Sequence, residues 1–476
     1  MTPTASYRIV PLVVAWPLFL QNLDTSVMAT ALPAIASSLQ VRVLDLNLAI
    51  TSYLLSLVVF LPASAWLAER FGPRRIFCAA IVLFSIGSAM CGAARSLEQL
   101  VLFRLLQGVG GAMMVPVGRL ILLRSVPAAE MVGAMVWFTV PGAIGRMAGP
   151  LFGGAIVTFT SWRWIFLVNI PFGLLGVLLA LWFIDGDAVV ANPDAPRPDV
   201  PGLLLLATAL GGMLGALELI GRAILPWPAI AAIGVLGLLA LVGYLLRSRN
   251  QAEPVIDFKI LRYTTYRASI AGGMPLRIAI GASPFLLPLM LQLGFGLSPL
   301  NSGLLTMALA LGSLATRTIV ARAIRRLGFR KLLIGSALFT SLFYATYALF
   351  TPGTPQSLMF GVMLFGGLCT SMTMVVINTL GYADIPRPRM GHATAMSSMA
   401  QQLSVTLGVV AGAALVELTH HLHGGTGTTL GASDFPPAFI AIGLMTLISA
   451  YSFMRLPPDV GEEMRGAPRP PSAPSV

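Results

Sequence analysis

The sequence predicts an all-α membrane protein of fourteen transmembrane helices laid out as six, two and six. Three observations lead there. Of 476 residues, 56% are hydrophobic and 10% charged, and the mean hydropathy of +0.84 lies far from that of a soluble domain. Apolar runs of about 20 residues recur from end to end, each long enough to cross a hydrocarbon core of roughly 30 Å as a helix. Runs such as "GLLLLATALGGMLGAL" lack the polar/apolar alternation that a membrane β-barrel requires.

Spans 1 to 6 are predicted at 10–33, 45–66, 76–94, 98–123, 132–157 and 163–184, spans 7 and 8 at 202–220 and 228–246. Spans 9 to 14 follow at 267–292, 300–322, 331–350, 356–381, 393–419 and 436–454. The chain thus divides into an N-terminal six-helix bundle (1–184), a cytoplasmic linker (185–200), two inserted helices (201–246), a basic cytoplasmic linker (247–266), a C-terminal six-helix bundle (267–454) and a tail (455–476). The tail's "GAPRPPSAPSV" is Pro-rich and expected to be disordered. The halves echo one another: "RFGPRRIF", 70–77, follows span 2 and "RRLGFRKLLI", 325–334, follows span 10. Each is a Gly turn with basic flanks between the second and third helices of its half.

An even number of spans puts both termini on one side. On that side lie 21 of the 30 Lys and Arg residues; the opposite loops carry four, Arg42, Arg95, Arg163 and Arg222. The bias assigns both termini to the cytoplasm. It also accounts for the net charge of +12 and the pI near 10.3 without nucleic acid, as a basic face toward anionic membrane lipid. Cys78, Cys91 and Cys369 fall inside spans, which argues against a disulfide framework or a zinc site, and no other metal set is expected. The first span shows no small-residue cleavage site and reads as a retained anchor.

Five stretches carry a family resemblance. "LDTSVMATALP", 23–33, keeps Leu23, Asp24, Ala31, Leu32 and Pro33 of a span 1 signature, with Ala29 in place of the usual Asn. "AWLAERFGPRR", 65–75, matches a loop between spans 2 and 3, with Ala65 for Gly and Glu69 for Asp. "LVLFRLLQGVGGA", 100–112, matches a span 4 motif at Arg104, Gln107, Gly108, Gly110 and Ala112. "GRMAGPLFGG", 145–154, matches a span 5 antiporter motif at Gly145, Gly149, Pro150, Gly153 and Gly154, and "WRWIFLVNIPFG", 162–173, matches the start of span 6. In this order they resemble the major facilitator superfamily, specifically its fourteen-span drug:proton antiporter branch, over nearly all of the chain.

The resemblance implies the major facilitator fold and a proton-coupled exporter, an antiporter of amphipathic small molecules or drugs, in a bacterial inner or plasma membrane. Alternating access then operates between spans 1–6 and 9–14, with spans 7 and 8 peripheral. It implies that Glu69, Arg70, Arg74 and Arg75 form a cytoplasmic gating charge network; positive-inside charge alone also explains the arginines. It implies that Gly145, Gly149, Pro150, Gly153 and Gly154 form a seam sealing the cytoplasmic side of the outward-facing state. Physically, glycines four apart permit close helix approach and Pro150 bends its span. No Walker motif is present, so the energy source is the proton gradient, with no cofactor. A membrane enzyme or sensor would need a large polar loop or a convergent acid, base or metal set, and the longest loops lack one. The expected protein is a monomer.

Ionisable groups inside spans cost a few kcal/mol and normally face a partner or a wet cavity. A rise of 1.5 Å per residue puts Asp24 about 14 Å and Arg104 about 9 Å from the outer ends of their spans, so the two are able to meet. Protonating a paired Asp24 would free Arg104, the minimum a proton-coupled switch requires; a static ion pair is the alternative. Arg146 and Arg277 also fall near mid-membrane, with no obvious acid at their depth. Together the four charges make a positive central cavity, which favours an anionic or acidic head group, on a drug or on a dedicated anionic lipid or metabolite. Arg146 serves equally well to bond carbonyls freed near Pro150. Gln107, Gln292, Asn378, Gln401 and Gln402 either line the cavity for substrate or bond helix to helix. Arg119 and Arg317 are expected to snorkel. Glu218 and Glu417 near outer ends can reach water, and His420, His421 and His423 either sit in a flexible interfacial loop or hold a metal or sense pH outside.

Overall fold

Within hydrocarbon every backbone N–H and C=O must be satisfied inside its own segment, and the chain meets this demand with helices. The computed structural model describes residues 3–126, 131–184, 199–220, 225–251, 254–386, 389–423, 430–458 and 460, and no strand occurs among them. The linker residues 185–198 and the tail beyond 460 lie outside the described residues.

The first half contains α1 (Pro3–Leu39), α2 (Asn47–Phe71), α3 (Pro73–Ala93), α4 (Leu97–Ser125) and α5 (Met131–Phe159). It ends with a single turn, α6 (Trp164–Leu167), leading into α7 (Asn169–Phe183). Next come α8 (Val200–Leu219) and α9 (Trp227–Asn250), which pack on each other and, through α8, on α2. The second half holds α10 (Thr264–Arg267), α11 (Met274–Leu289), α12 (Pro299–Ala348), α13 (Gln356–Gly381), α14 (Met390–Leu422) and α15 (Pro436–Met454).

Among the described residues, twelve helical segments are long and apolar enough to cross a membrane, and each coincides with a predicted span. The other two predicted spans, 300–322 and 331–350, are the two arms of α12, whose 50 residues break at Gly328. There φ is +77°, a left-handed conformation that favours glycine. Gly72, between α2 and α3, has φ +91°. The two loops that echo each other in sequence therefore turn on a left-handed glycine at corresponding places in the two halves.

Packing follows the same symmetry. In the first half α1 lies along α5; in the second, α11 lies along α14. Contact between halves is made chiefly by second and fifth helices: α2 with α14, and α5 with the first arm of α12. Outward faces are apolar, as a lipid solvent requires, with Leu174 and Trp182 on α7, Leu204 on α8, Leu239 on α9 and Leu444 on α15 exposed.

Three contacts join the halves at one end. Arg42, after α1, meets Glu417 near the end of α14; Gln292 donates to the Thr30 carbonyl at 3.0 Å; and Gly154 of α5 abuts the Pro299 backbone at the start of α12.

Candidate functional site

The buried polar centre of the first half begins with α4. Its "QGVGGA" stretch is thin on two sides: a Cβ at Gly108 would lie 2.7 Å from the Tyr53 carbonyl of α2, and one at Gly110 would lie 2.5 Å from the Phe84 nitrogen of α3. Backbone contact on both flanks draws Arg104, one turn earlier, against α2. Its guanidinium lies 4.2 Å from the centre of the Tyr53 ring, and its Nε donates to the Ala49 carbonyl at 3.1 Å.

Asp24 of α1 completes the pair. Arg104 Nη1 donates to Asp24 Oδ2 at 2.6 Å and to Gln107 Oε1 at 2.8 Å. Gln107 Nε2 and Asn169 Nδ2 each donate to Asp24 Oδ1 at 3.0 Å. Asn169, at the start of α7, also donates to the Ser88 hydroxyl of α3, which in turn donates to the Phe166 carbonyl. Five helices thus hold one ion pair, whose side chains are 0% and 1% exposed. An isolated buried charge costs several kcal/mol, so each member holds the other in place, and the extra donors offset what water would have supplied.

The structure brings Asp24 and Arg104 together. It encloses them within one bundle, whereas the sequence reading puts them on a central cavity. Helical rise gives depth, not azimuth; the small glycine faces and the Tyr53 ring turn Arg104 inward. Gln107, a candidate for substrate contact, is likewise committed to Asp24 and Arg104.

Arg277 occupies the other half. It is 3% exposed, and its Nη2 donates to Asn378 Oδ1 at 2.9 Å, with Ser269 Oγ at 3.4 Å. Arg146 is exposed on α5, in a four-residue stripe with Pro150 and Gly154. Gln292 bonds between helices, to Thr30 and Ser302; Gln401 is exposed and Gln402 half-buried.

The glycine seam of α5 divides by face. A Cβ at Gly145 would lie 2.5 Å from the Phe19 carbonyl; one at Gly149 would overlap the Ser26 hydroxyl; one at Gly153 would meet Val27 at 3.1 Å. These three face α1 within their own half. Pro150 and Gly154 face α12, where a Cβ at Gly303 would collide with the Pro150 carbonyl. Of the proposed gating residues, Arg70 lies over the Trp66 ring, Arg74 donates to the Leu181 carbonyl at 2.7 Å and Arg75 is exposed. The side chain of Glu69 lies outside the described residues, as does that of Arg317.

Several polar contacts have no legible sequence signal. Asp45 and Glu417 clasp Arg42 from opposite halves, and hydrogen bonding by Asp45 with the nearby Glu417 holds that guanidinium well above its ordinary pKa. His420 and His423 both bond Asp434, at 2.9 and 3.2 Å, and His421 lies 3.6 Å from Glu417. No group suited to a metal occurs among the described residues. Cys78, Cys91 and Cys369 are free thiols. Asn169 alone had a pointer, its position in the stretch "WRWIFLVNIPFG".

The sequence profile of the Major Facilitator Superfamily matches residues 18–259 and 269–474. A protein of Pectobacterium atrosepticum is 36% identical over 459 residues, covering 96% of this chain and 98% of its own. One from Escherichia fergusonii is 37% identical over 456 residues, covering 95% of each chain. Both carry the provisional name multidrug resistance protein MdtD. Among solved structures, the D-xylose-proton symporter superposes with a TM-score of 0.65 at 16% identity, over 94% of this chain and 97% of its own. The nucleoside transporter NupG superposes with a TM-score of 0.62 at 15% identity, over 94% and 98%. Fold, motif order and relatives agree: the chain belongs to the Major Facilitator Superfamily and is a multi-pass membrane transporter, not an enzyme.

Proposed function

We propose that the protein is a proton-coupled exporter of amphipathic small molecules or drugs, working as an antiporter by alternating access in a bacterial inner membrane. The names of the MdtD relatives support drug efflux, and the single observation that carries proton coupling is the Asp24–Arg104 pair. Asp24 is a carboxylate held by one guanidinium and two amides on a helix, α1, that packs against both halves. Protonation would cancel its attraction for Arg104 and loosen α4 from α1, a charge change inside the bundle that biases one arrangement of helices over another.

With the basic loops inside, the end joined by Arg42 and Glu417 faces outward, so this conformation is closed to the exterior. Asp24 is committed to Arg104, and the further positive charge of Arg146 and Arg277 favours an acidic head group on the substrate. Export of an anionic lipid or metabolite fits the same charge pattern. The protein acts as a monomer, with membrane lipid as its surroundings and no cofactor.

The test is a proteoliposome assay with an imposed pH gradient and two fluorescent amphiphiles, one anionic and one cationic, using wild type, Asp24→Asn and Arg146→Ala. The expected result is gradient-driven transport preferring the anion, lost in Asp24→Asn and weakened at least severalfold in Arg146→Ala. Proton flux that survives Asp24→Asn removes the coupling role. Preference for the cation, untouched by Arg146→Ala, removes the anion preference.

A further inference from the structure

Both halves bury an arginine, and both link it between their first and fourth helices. In the first half Asp24 on α1 meets Arg104 on α4. In the second, Arg277 on α11 meets Asn378 on α13, the fourth crossing once the arms of α12 are counted as second and third. One difference separates the two: the first half supplies a carboxylate, the second an amide. Arg277 has no carboxylate within 4 Å among the described residues, and its Nε and Nη1 are buried without an acceptor. Three of its five N–H donors are therefore unused.

The neighbours offer no compensation. Ser269 gives its hydroxyl proton to the Ile377 carbonyl, and the Tyr266 hydroxyl bonds the Ala393 carbonyl. Leu276, Ile377 and Leu380, close in sequence to Arg277 and Asn378, are apolar and buried, and Arg277 itself is 3% exposed, so the local dielectric is low and the field of the guanidinium is strong. A protein gains nothing in stability from a buried, half-bonded cation, and in a membrane such a group marks a ligand path.

We propose that Arg277, positioned by Asn378, is the seat for one oxyanion, a carboxylate, sulfonate or phosphate borne by an amphipathic molecule, and that it is separate from the proton-carrying pair in the other half. This rests on the reading of the protein as an exporter of amphipathic compounds and assigns direct contact with the charged group to Arg277, Arg146 adding only its longer-range attraction. Arginine suits the task because its charge persists at all working pH values and its donors match oxyanion geometry.

The experiment measures binding of a radiolabelled aryl sulfonate and of the matching uncharged sulfonamide to the full chain in maltoside detergent. Wild type is expected to bind the sulfonate more tightly than the sulfonamide. Arg277→Gln should weaken the sulfonate at least tenfold and leave the sulfonamide unchanged. Because removing a buried arginine can impair folding, the decisive variant is Asn378→Asp, which supplies the missing carboxylate internally. It should raise the melting temperature and still lower sulfonate affinity at least tenfold, since the seat is then filled by the protein itself. Nanodiscs with phosphatidylglycerol, compared with phosphatidylcholine alone, identify the source: competition by phosphatidylglycerol supports the seat with a lipid head group as occupant, and no competition supports it with a soluble amphiphile. Equal binding of sulfonate and sulfonamide by wild type, or unchanged sulfonate affinity in Asn378→Asp, overturns the proposal. Proton flux is measured in proteoliposomes with the uncharged sulfonamide as the exchanged substrate. A protein that binds it through Arg277 but moves no protons sinks the coupling and leaves the seat; the converse sinks the seat alone.

Discussion

Arg42, in the turn after α1, donates to Glu417 of α14 at 2.6 Å while Asp45 grips its other edge through Nε and Nη2. A loop of one half is thereby tied to a helix of the other. Opening this end requires the contact to break. Both partners are partly exposed, at 38% and 25%, so solvent screening leaves it worth only about 0–1 kcal/mol. Glu417→Gln is expected to raise the labelling rate of a cysteine introduced by Leu300→Cys up to about fivefold, the equivalent of 1 kcal/mol. An unchanged rate means the ion pair does not restrain this end.

The pH sense of that contact can be stated. Its carboxylate neighbours raise the Arg42 pKa, so the guanidinium's share is fully present below the ordinary arginine value and is lost only as pH rises through the raised one. Across the working range the arginine therefore stays charged, and mild alkalinisation leaves the contact intact. Labelling at Leu300→Cys, divided at each pH by the rate of a free thiol so that thiolate formation cancels, should consequently be flat from neutral pH upward; a normalised rate that rises on mild alkalinisation would contradict this.

Asp24→Asn strands Arg104 in a site with 0% side-chain exposure. Breaking a buried pair in this way costs about 3–5 kcal/mol. Thermal unfolding in detergent should show Asp24→Asn to be clearly less stable than wild type, and the double variant Asp24→Asn, Arg104→Gln to recover part of the loss. A double variant as unstable as the sum of its singles argues against a coupled pair.

The glycine seam predicts different responses on its two faces. Gly149→Ala meets both the Ser26 hydroxyl and, at 2.6 Å, the Ser26 Cβ, so adding Ser26→Gly should restore more of the lost stability than adding Ser26→Ala. Gly154→Ala meets the backbone at Pro299 and Leu300, where no side chain can yield, and forces α5 from α12 at a cost of about 1–3 kcal/mol. Its loss of transport should survive every side-chain truncation at positions 299 and 300. Rescue by Leu300→Ala would be evidence against backbone contact.

Gly72 and Gly328 both hold positive φ, at +91° and +77°. Replacing either by Ala should lower stability by about 1 kcal/mol or more through backbone strain. The melting temperatures of the two variants should fall together; a neutral Gly328→Ala would mean that the break in α12 closes into continuous helix.

What sequence alone determined is one-dimensional. Composition and run length settled the membrane and the helices, because a segment in hydrocarbon must satisfy its own backbone. The motif order identified the family, and the glycine turns at 72 and 328 revealed the repeat, because left-handed backbone favours glycine. Asp24 and Arg104 were legible as a pair because buried charges are rare and helical rise gives their heights. Only the tertiary structure decided which way those residues turn: that Gln107 and Asn169 finish the Asp24 site, that Arg277 finds an amide instead of an acid, and that Glu417 crosses to Arg42. Azimuth depends on how closely neighbouring helices approach, and that is set jointly by small side chains on several helices distant in sequence, which no single stretch of the chain contains.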